Sequence, residues 1–507
     1  MKGISFREIR LFLPVLLFVF WGCSSRQDYT NPIIYADYSD PDVVCVDGEY
    51  WMTASSFNCT PGLQILHSIN LVDWEVVSAA LPEGLSYQGD TSWGTRHGDG
   101  VWAPSIRFHD GLFYIFWGDP DYGIYQVHAS DPLGEWSEPL CVIPGKGMID
   151  PCPLWDDDGR VWLVHAWAKS RCGFNNILSV RELSPDCTVA ISDTVTVFNG
   201  FENGQVTTEG PKFYMRGEEY VILCPSGGVK TGHQLVLKSD SVTGPYKMRV
   251  AMHSGDSKVF GPHQGGWVSD ARGNDWFIHF EDRYAWGRVV HLQPMSWTED
   301  GWCIIGVDTD GDGIGEPVLS HSRPTPFRRN SIPGRPELLF QYQGDAPASG
   351  SSLMQDPAVN LWLEPSLLLQ KITGPEMEYS DMFTMPPEGR QGIIVFGTDY
   401  STIETAVRDG QTIVLRKICL SADKGGAESV LDSLPVPEGC TEVRLGVSIR
   451  ERRNYELPDY DGKDTYSAIC TFHCSFGSTE PQPLGPDFIA KPGRWIGAKT
   501  GSFKVGK

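Results

Sequence analysis

Five similar stretches decide the fold, and the first of them, residues 41–51, reads PDVVCVDGEYW. It combines a β-rich run, an Asp-Gly turn and a second run rich in aromatic residues, which is the pattern of a β-hairpin. The pattern returns at residues 104–114, 153–162, 211–220 and 266–277. The aromatic markers of the five copies, at steps of 63, 48, 58 and 56 residues, are Trp51, Tyr114, Trp162, Tyr220 and Trp276.

A hairpin repeat with a period of roughly 50 residues is typical of propeller blades. The five copies therefore predict an all-β chain that opens with a five-bladed β-propeller. A β-sandwich of similar strands is the structural alternative.

The composition is that of a globular protein. The 507 residues predict two or three domains, and 41% hydrophobic with 21% charged residues excludes a disordered chain. A net charge of -23 opposes binding to nucleic acid. Of 17 tryptophans, 14 lie between Trp51 and Trp302, inside the predicted propeller. A neutral or cationic ligand that stacks on aromatic rings fits this composition.

The first 22 residues are predicted to be a bacterial lipoprotein signal peptide. Basic residues precede an apolar run at 11–21, and Gly22 stands directly before Cys23. Cys23 would then be the lipidated first residue of an exported protein, anchored to the outer membrane and facing the periplasm or the cell surface. Plain secretion is the alternative. The other twelve cysteines form no C-x-x-C pair, so a zinc site is not indicated.

Carboxylates recur at one place in the repeat, just before its opening proline. These residues are Asp40, Asp150 and Glu209, while Trp102 and His263 take the related places in the other two units. Singly, each acidic residue reads as a turn or surface residue. Gathered at a propeller axis, carboxylates raise one another's pKa, which makes an acid and a base from one type of side chain. Glycoside hydrolysis uses such a pair.

These motifs resemble glycoside hydrolase family 43, the inverting arabinofuranosidase and β-xylosidase family with a five-bladed propeller. Five-bladed β-fructosidases share the architecture, but their N-D-P-N-G and E-C motifs are absent here. The resemblance to family 43 rests on the order and spacing of residues 31–34, 40–42, 67–74, 102–104, 149–151, 209–211 and 287–294.

The resemblance implies a role for each carboxylate. Asp40 is expected to be the general base, Glu209 the general acid, and Asp150 the residue that orients the acid and tunes its pKa. Inversion places base and acid about 6.5–9.5 Å apart, with a water between base and sugar.

The resemblance also implies a substrate pocket. Arg288 is expected to contact sugar hydroxyls, and Phe57 and Trp102 to form an apolar wall, although either ring could be core. The axial histidine of relatives binds a water network or a calcium ion, and His263 takes that position here, with a core histidine as the alternative. No cofactor is expected to be required, and any bound calcium would be structural. The loop 308–316 imitates an EF-hand start but lacks its bidentate glutamate, which indicates a turn with at most weak calcium affinity.

The repeat stops at residue 326, so we predict a propeller over 23–326 and a second domain over 327–507. Alternating runs at 392–397, 411–420 and 442–449 predict a β-sandwich. Residues 492–499 resemble the concanavalin-like domain appended to some β-xylosidases of the family, in which this domain can lend a loop to the active-site rim.

Together these features predict an exo-acting hydrolase that releases terminal β-D-xylose or α-L-arabinofuranose from plant cell-wall oligosaccharides. An endo-arabinanase and a non-catalytic glycan-binding surface lipoprotein are the alternatives. Pocket shape, which the sequence does not expose, decides between the sugars. The sequence also leaves the oligomeric state open.

Overall fold

The computed structural model describes residues 28–85, 96–328, 330–344, 360–364, 366–387 and 389–505. Its first part consists of five four-stranded antiparallel sheets, each built from four strands that are consecutive in sequence. This arrangement confirms the predicted five-bladed propeller.

The strands of each blade are ordered from the axis outward. The first two blades contain β2 (Asp42–Val46), β3 (Glu49–Thr53), β4 (Gly62–Ser68) and β5 (Glu75–Leu81), then β6 (Trp102–His109), β7 (Leu112–Asp119), β8 (Gly123–Ala129) and β9 (Leu140–Pro144). The third contains β10 (Met148–Trp155), β11 (Val161–Trp167), β12 (Ile177–Leu183) and β13 (Val195–Asn199), with the short helix α1 (Lys169–Cys172). The last two contain β14 (Lys212–Arg216), β15 (Glu219–Ser226), β16 (His233–Ser239) and β17 (Lys247–Met252), then β18 (His263–Ser269), β19 (Asp275–Asp282), β20 (Arg288–Trp297) and β21 (Cys303–Ile305).

Turn chemistry explains the inner hairpins. Asp47 and Gly48 both have positive φ, 50° and 78°, between β2 and β3. Asp110 and Gly111 repeat this with 46° and 81° between β6 and β7. Asp-Gly is the sequence that tolerates two successive positive φ angles, and the resulting turn matches the twist of antiparallel strands. The repeat seen in the sequence is therefore the inner hairpin of each blade.

A short sheet joins the two ends of the propeller segment. Here β1 (Asp28–Thr30) pairs with β22 (Ser320–Ser322). The next strand, β23, begins at Phe340, so the predicted domain boundary at 326 falls in the connection between them.

The second part is a sandwich of two antiparallel sheets, which confirms the predicted concanavalin-like fold. One sheet has the order β23 (Phe340–Tyr342), β24 (Leu368–Lys371), β34 (Lys499–Val505), β26 (Arg390–Phe396), β27 (Tyr400–Arg408), β28 (Gln411–Cys419) and β29 (Glu428–Pro435). The other contains β25 (Glu376–Thr384), β30 (Glu442–Arg453), β31 (Tyr466–Phe476) and β32 (Gln482–Pro483), with β33 (Phe488–Ile489) also paired to β31.

The two domains share a hydrophobic core. Trp286, from a turn of the propeller, is fully buried in the cluster that fills the sandwich, and its indole N–H donates to the Ser467 carbonyl at 3.3 Å. Packing of this kind fixes the sandwich against one edge of the propeller. Across the described residues, no helix has the length and apolar character needed to span a bilayer. The predicted signal and Cys23 lie outside the described residues.

Candidate active site

Three carboxylates meet at the end of the propeller axis where the inner strands begin. Asp40 precedes β2, Asp150 lies in β10, and Glu209 precedes β14. They line one pocket of about 280 Å³. We call this end, defined by these three residues, the acidic mouth. The sequence predicted the convergence, and the structure brings all three together.

The backbone is strained at two of these positions. Asp40 and Asp150 have φ angles of 56° and 57°, in the left-handed region that residues other than glycine seldom adopt, although aspartate does so more often than most. Such conformations are unfavourable by about 1–3 kcal/mol each and persist where the surrounding structure enforces them. They cluster at functional sites, which agrees with the position of both residues in the pocket.

Asp40 is anchored by hydrogen bonds from two side chains. Its Oδ2 accepts a hydrogen bond from the Ser55 hydroxyl at 2.6 Å, and Arg288 Nη1 lies 3.1 Å from Oδ1. Ser55 in turn accepts from the Ala103 N–H at 2.7 Å, which fixes the hydroxyl proton toward Asp40. A charge-assisted pair of this geometry fixes the orientation of the Asp40 carboxyl group. Arg288 therefore lies in the pocket as predicted, with its guanidinium directed at Asp40.

Asp150 is in a different environment. Burial, and then the nearby charges of Glu209 and Asp40, raise its pKa well above the usual value for an aspartate. Its Oδ2 accepts the Gly210 N–H at 2.7 Å, which ties it to the peptide that follows Glu209. Gly210 has φ 58°, and a Cβ there would lie 2.6 Å from the Gln264 side chain, so glycine is required for this close approach.

Glu209 is the most accessible of the three, with 29% of its side chain exposed. Its Oε1 lies 3.2 Å from His263 Nε2. His263 is almost completely buried at the inner edge of the fifth blade, as predicted for the axial histidine. A carboxyl group open to the pocket and contacted by an imidazole is placed to exchange a proton with a ligand.

Aromatic residues form one wall. Phe57 lines the pocket but is only 3% exposed, because it packs with Cys59 and Ile496 at the domain boundary. Phe57 is thus wall and core at once. Trp102 is half-buried, and its indole N–H donates to the Gly98 carbonyl at 2.8 Å.

The sandwich domain contributes a ring of its own. Trp495 lines the same pocket, and its ring centroid lies 6.1 Å from that of Trp102 at an angle of 65°. It is 58% exposed, and its backbone has a φ of 64°, in the left-handed region. The rim therefore carries an accessible indole on a strained backbone. The sequence indicated that a loop of the second domain could reach the rim, but not which residue.

A second link between the domains, which the sequence did not reveal, runs through Asp37. Its Oδ1 accepts the Arg288 N–H at 2.8 Å and its Oδ2 accepts the Gly497 N–H at 3.0 Å. One buried carboxylate therefore joins the loop that carries Trp495 to the strand that carries Arg288. Next to it, burial lowers the pKa of Lys371 to about 7.

Below the acidic mouth, two positively charged side chains lie near the propeller axis. Arg107 Nη1 lies 2.6 Å from Asp42 Oδ2, and Lys212 Nζ lies 3.7 Å from the same oxygen. Lys212 also donates to the Pro104 carbonyl at 2.8 Å and is fully buried. Two cations and one carboxylate leave a net positive charge there, which partly opposes the repulsion among the three carboxylates above.

The residues around His263 fit a calcium ion poorly. Calcium prefers six to eight oxygen ligands. Among the described residues, Glu209 is the one polar side chain that contacts the His263 ring, whose Nδ1 is buried without a hydrogen-bond partner.

The loop at 308–312 offers more oxygen atoms. The carboxylates of Asp308, Asp310 and Asp312 have ligand atoms within 4.8 Å of one another. Asp308 also accepts the N–H groups of Gly311 and Gly313, as an ordinary acidic turn does. The twelve cysteines in the described part of the chain are all free thiols.

Three carboxylates in one pocket at the end of a propeller axis have the arrangement expected of a glycoside hydrolase. Residues 29–303 match Glycosyl hydrolases family 43, and residues 352–507 match the Beta xylosidase C-terminal Concanavalin A-like domain. The chain belongs to glycosyl hydrolases family 43 and is a glycoside hydrolase.

Relatives match across both domains. A protein of Xylanibacter ruminicola is 31% identical over 497 residues, covering 95% of this chain and 87% of the relative. A beta-xylosidase of Formosa agariphila is 30% identical, with 95% and 88% covered. A non-reducing end alpha-L-arabinofuranosidase of Bacteroides ovatus is 29% identical over 310 residues, with 56% and 54% covered.

The solved structure of a xylan beta-1,4-xylosidase from Bacillus halodurans superposes with a TM-score of 0.76 at 22% identity. The superposition covers 93% of this chain and 96% of that one. At this identity the match shows the shared fold alone.

Proposed function

We propose that the protein is an exo-acting, inverting hydrolase that releases terminal β-D-xylose or α-L-arabinofuranose from plant cell-wall oligosaccharides. The observation that carries the proposal is the placement of Asp40, Asp150 and Glu209 in one pocket with three different environments. The names of the relatives from Formosa agariphila and Bacteroides ovatus support these two sugars.

The environments assign the roles. Asp40, paired with Arg288 and Ser55, is the general base: it accepts a proton from a water whose oxygen attacks the anomeric carbon. Glu209 is the general acid: it gives its proton to the glycosidic oxygen as the bond to the anomeric carbon breaks. Attack opposite the leaving group inverts the anomeric configuration.

Asp150 acts on the acid. Two like charges that are both partly buried do not ionise independently, so an Asp150–Glu209 pair retains a proton at higher pH than an isolated carboxyl group does. The hydrogen bond from Gly210 to Asp150 also orients the backbone of the acid. Asp150 therefore acts as a positioning residue for the acid.

The form of the pocket supports exo action. Trp495 of the sandwich stands against Trp102 at the rim, and the volume of about 280 Å³ is at the small end of ligand pockets. An endo-arabinanase needs an open groove. Digestion of long linear arabinan separates the two: monosaccharide alone supports exo action, and oligosaccharide products contradict it.

The decisive experiment replaces the acid. We expect Glu209→Gln to lower kcat on xylan-derived oligosaccharides by roughly 10²–10⁴-fold, because protonation of the leaving oxygen is lost. Glu218→Gln, an exposed glutamate in the β14–β15 turn, is the matched control and should keep full activity. Proton NMR of the first product should show the inverted anomer. A mild loss in Glu209→Gln, or a retained anomer, contradicts the assignment.

We also propose that Cys23 carries a lipid that anchors the exported protein to the outer membrane. The basic and apolar order of residues 1–22 before Cys23 supports this. Cys23→Ala should abolish incorporation of labelled palmitate and release the protein from the membrane fraction. Unchanged membrane association would contradict lipidation at this residue.

A further inference from the structure

The inner strands that begin at the acidic mouth end at a second opening on the opposite face of the propeller. All five contribute to it, through the last residues of β6, β10 and β18 and the middle residues of the shorter β2 and β14. The opening has a volume of about 370 Å³, within the range of roughly 300–1,000 Å³ for small-ligand sites. We call it the far mouth and define it by Phe108, His109, Trp155, Tyr214 and Trp267.

The composition of the far mouth is unlike the rest of the chain. None of the described residues that line it is an aspartate or a glutamate, although the whole chain has a net charge of -23. Phe108 keeps 38% of its surface exposed, and the His109 side chain also 38%. An exposed aromatic cluster without carboxylates favours a neutral ligand with apolar C–H surface over a cation.

The rings are held in place by one another. His109 stacks on Trp155 with centroids 4.7 Å apart and an interplanar angle of 12°, and Tyr114 supports Trp155 from 5.2 Å. The backbone N–H of Trp267 donates to the Tyr214 hydroxyl oxygen at 2.9 Å, and Arg107 lies 5.0 Å from the centre of the Tyr214 ring. A platform ordered in this way loses little side-chain entropy when a ligand binds.

The far mouth also carries groups that bond hydroxyls. Among its lining residues, His109 is 38% exposed and offers ring nitrogens to a ligand, and Ser269 Oγ can accept a hydrogen bond while it donates to Asp275. The Arg107 N–H groups are bonded to Asp42 and to the Ile106 carbonyl. Aromatic faces flanked by a few polar groups suit sugar rings, which have apolar faces and hydroxyl edges. A cup closed by five strands admits one or two rings, whereas an extended peptide requires a groove or a sheet edge.

We propose that the far mouth is a second sugar-binding site, which holds neutral pyranose residues of the polysaccharide whose chain ends are cut at the acidic mouth. The choice of polysaccharide rests on the proposed function. The site performs no chemistry. It keeps the enzyme on the polymer, so it matters for long substrates and not for small ones.

Xylohexaose is the probe for the test. The calorimetric titration uses the full mature chain with Glu209→Gln, so that the probe is not hydrolysed during the measurement. We expect two binding sites for xylohexaose in Glu209→Gln and one in Glu209→Gln with Trp155→Ala. In the otherwise native enzyme, Trp155→Ala should lower kcat/KM on soluble xylan by about three- to tenfold and leave an aryl xyloside within about twofold.

Two further variants guard against a folding defect. Phe108→Ser removes an exposed ring of the far mouth and should reproduce the loss, while Trp155→Phe should restore binding in part. Leu420→Ser, at a residue of the sandwich that is 57% exposed, is the control and should change nothing.

The proposal would be overturned if Glu209→Gln bound the same number of xylohexaose molecules with and without Trp155→Ala or Phe108→Ser. The proposal would also be overturned if the far mouth bound peptides from a digest in a Trp155-dependent way but did not bind xylohexaose. Binding at the far mouth together with no turnover of aryl glycosides would refute the proposed function and leave this site standing. Normal turnover of aryl glycosides without a second binding site would support the proposed function and overturn the site at the far mouth.

Discussion

The two mouths of the propeller are built from the same five strands and have opposite chemistry. The acidic mouth gathers three carboxylates, two of them on strained backbone, whereas the far mouth gathers aromatic rings and no carboxylate among its described lining residues. Between them lies the positive group of Arg107 and Lys212 around Asp42. The position of a residue along the inner strand therefore decides which mouth it serves.

The comparison also separates chemistry from adhesion. The acidic mouth contains a carboxyl group with a perturbed pKa, because burial and nearby like charges raise the pKa of Asp150. The far mouth has ring packing and exposed apolar surface instead. Substitutions at one mouth should leave the other unchanged, and the following predictions test that separation.

The largest effect after loss of the acid is expected at Asp150. Asp150→Asn removes the like charge that keeps a proton on the pair, so kcat should fall about 100-fold and the alkaline limb of the pH profile should move to lower pH. Binding of xylohexaose at the far mouth should not change. Asp47→Asn, in the exposed turn of the first inner hairpin, is the control.

The same variant should be more stable than the wild type. Because burial raises the pKa of Asp150, the folded state binds this proton more tightly than the unfolded state, and stability is lost as pH rises above about 3.9. The amide carries no charge. Asp150→Asn should therefore melt at a higher temperature at pH 7, with the difference vanishing near pH 3. A lower melting temperature at pH 7 would contradict the raised pKa.

A smaller effect is expected at the link between the domains. Asp37→Asn leaves one carbonyl oxygen for the N–H groups of Arg288 and Gly497 and removes the charge. Hydrogen bonds to charged groups contribute about 1.5–3 kcal/mol, so the free energy of unfolding should fall by about that much. kcat on aryl xyloside should fall as well, because Arg288 no longer holds Asp40. Asp28→Asn in β1 serves as the control, and an unchanged kcat would remove Asp37 from a positioning role.

The loop of the sandwich should affect substrate binding more than chemistry. Trp495→Ala removes the ring that stands against Trp102, and we expect KM to rise about three- to tenfold with kcat nearly unchanged. Trp495→Phe should recover most of the loss. Steady-state kinetics on xylobiose measure both, and a fall in kcat alone would show that the ring acts in another way.

The smallest effect is expected from removal of metal ions. The surroundings of His263 supply too few oxygen atoms for calcium, and we propose that the axial cations of the chain stabilise the carboxylates instead. Treatment with EDTA should leave activity and melting temperature unchanged. A loss restored by calcium would contradict this and point to His263 or to the loop at 308–312.

Much of this molecule could be predicted because its signals are local. Asp-Gly turns and alternating strands mark each inner hairpin within about a dozen residues, and the carboxylates stand at a fixed place before the proline of the repeat. The predicted positions of Asp40, Asp150 and Glu209 at one pocket follow from that regularity, whereas Arg288 was expected there from the family resemblance.

The residues that were missed depend on long-range contacts. Asp37 bonds Gly497 from 460 positions away, and Lys212 reaches the Pro104 carbonyl from 108 positions away. Trp495 becomes a pocket residue only because the sandwich packs on one edge of the propeller. No spacing in the sequence marks any of the three.

Local sequence signals were enough to predict the repeat, the blades and the position of each carboxylate at the start of an inner strand, since hairpins and turns depend on neighbouring residues. The tertiary structure alone decided which carboxylate is buried, which is paired and which is open. Burial and charge are sums over residues from all five blades and the second domain, and these sums are complete only when the chain has folded.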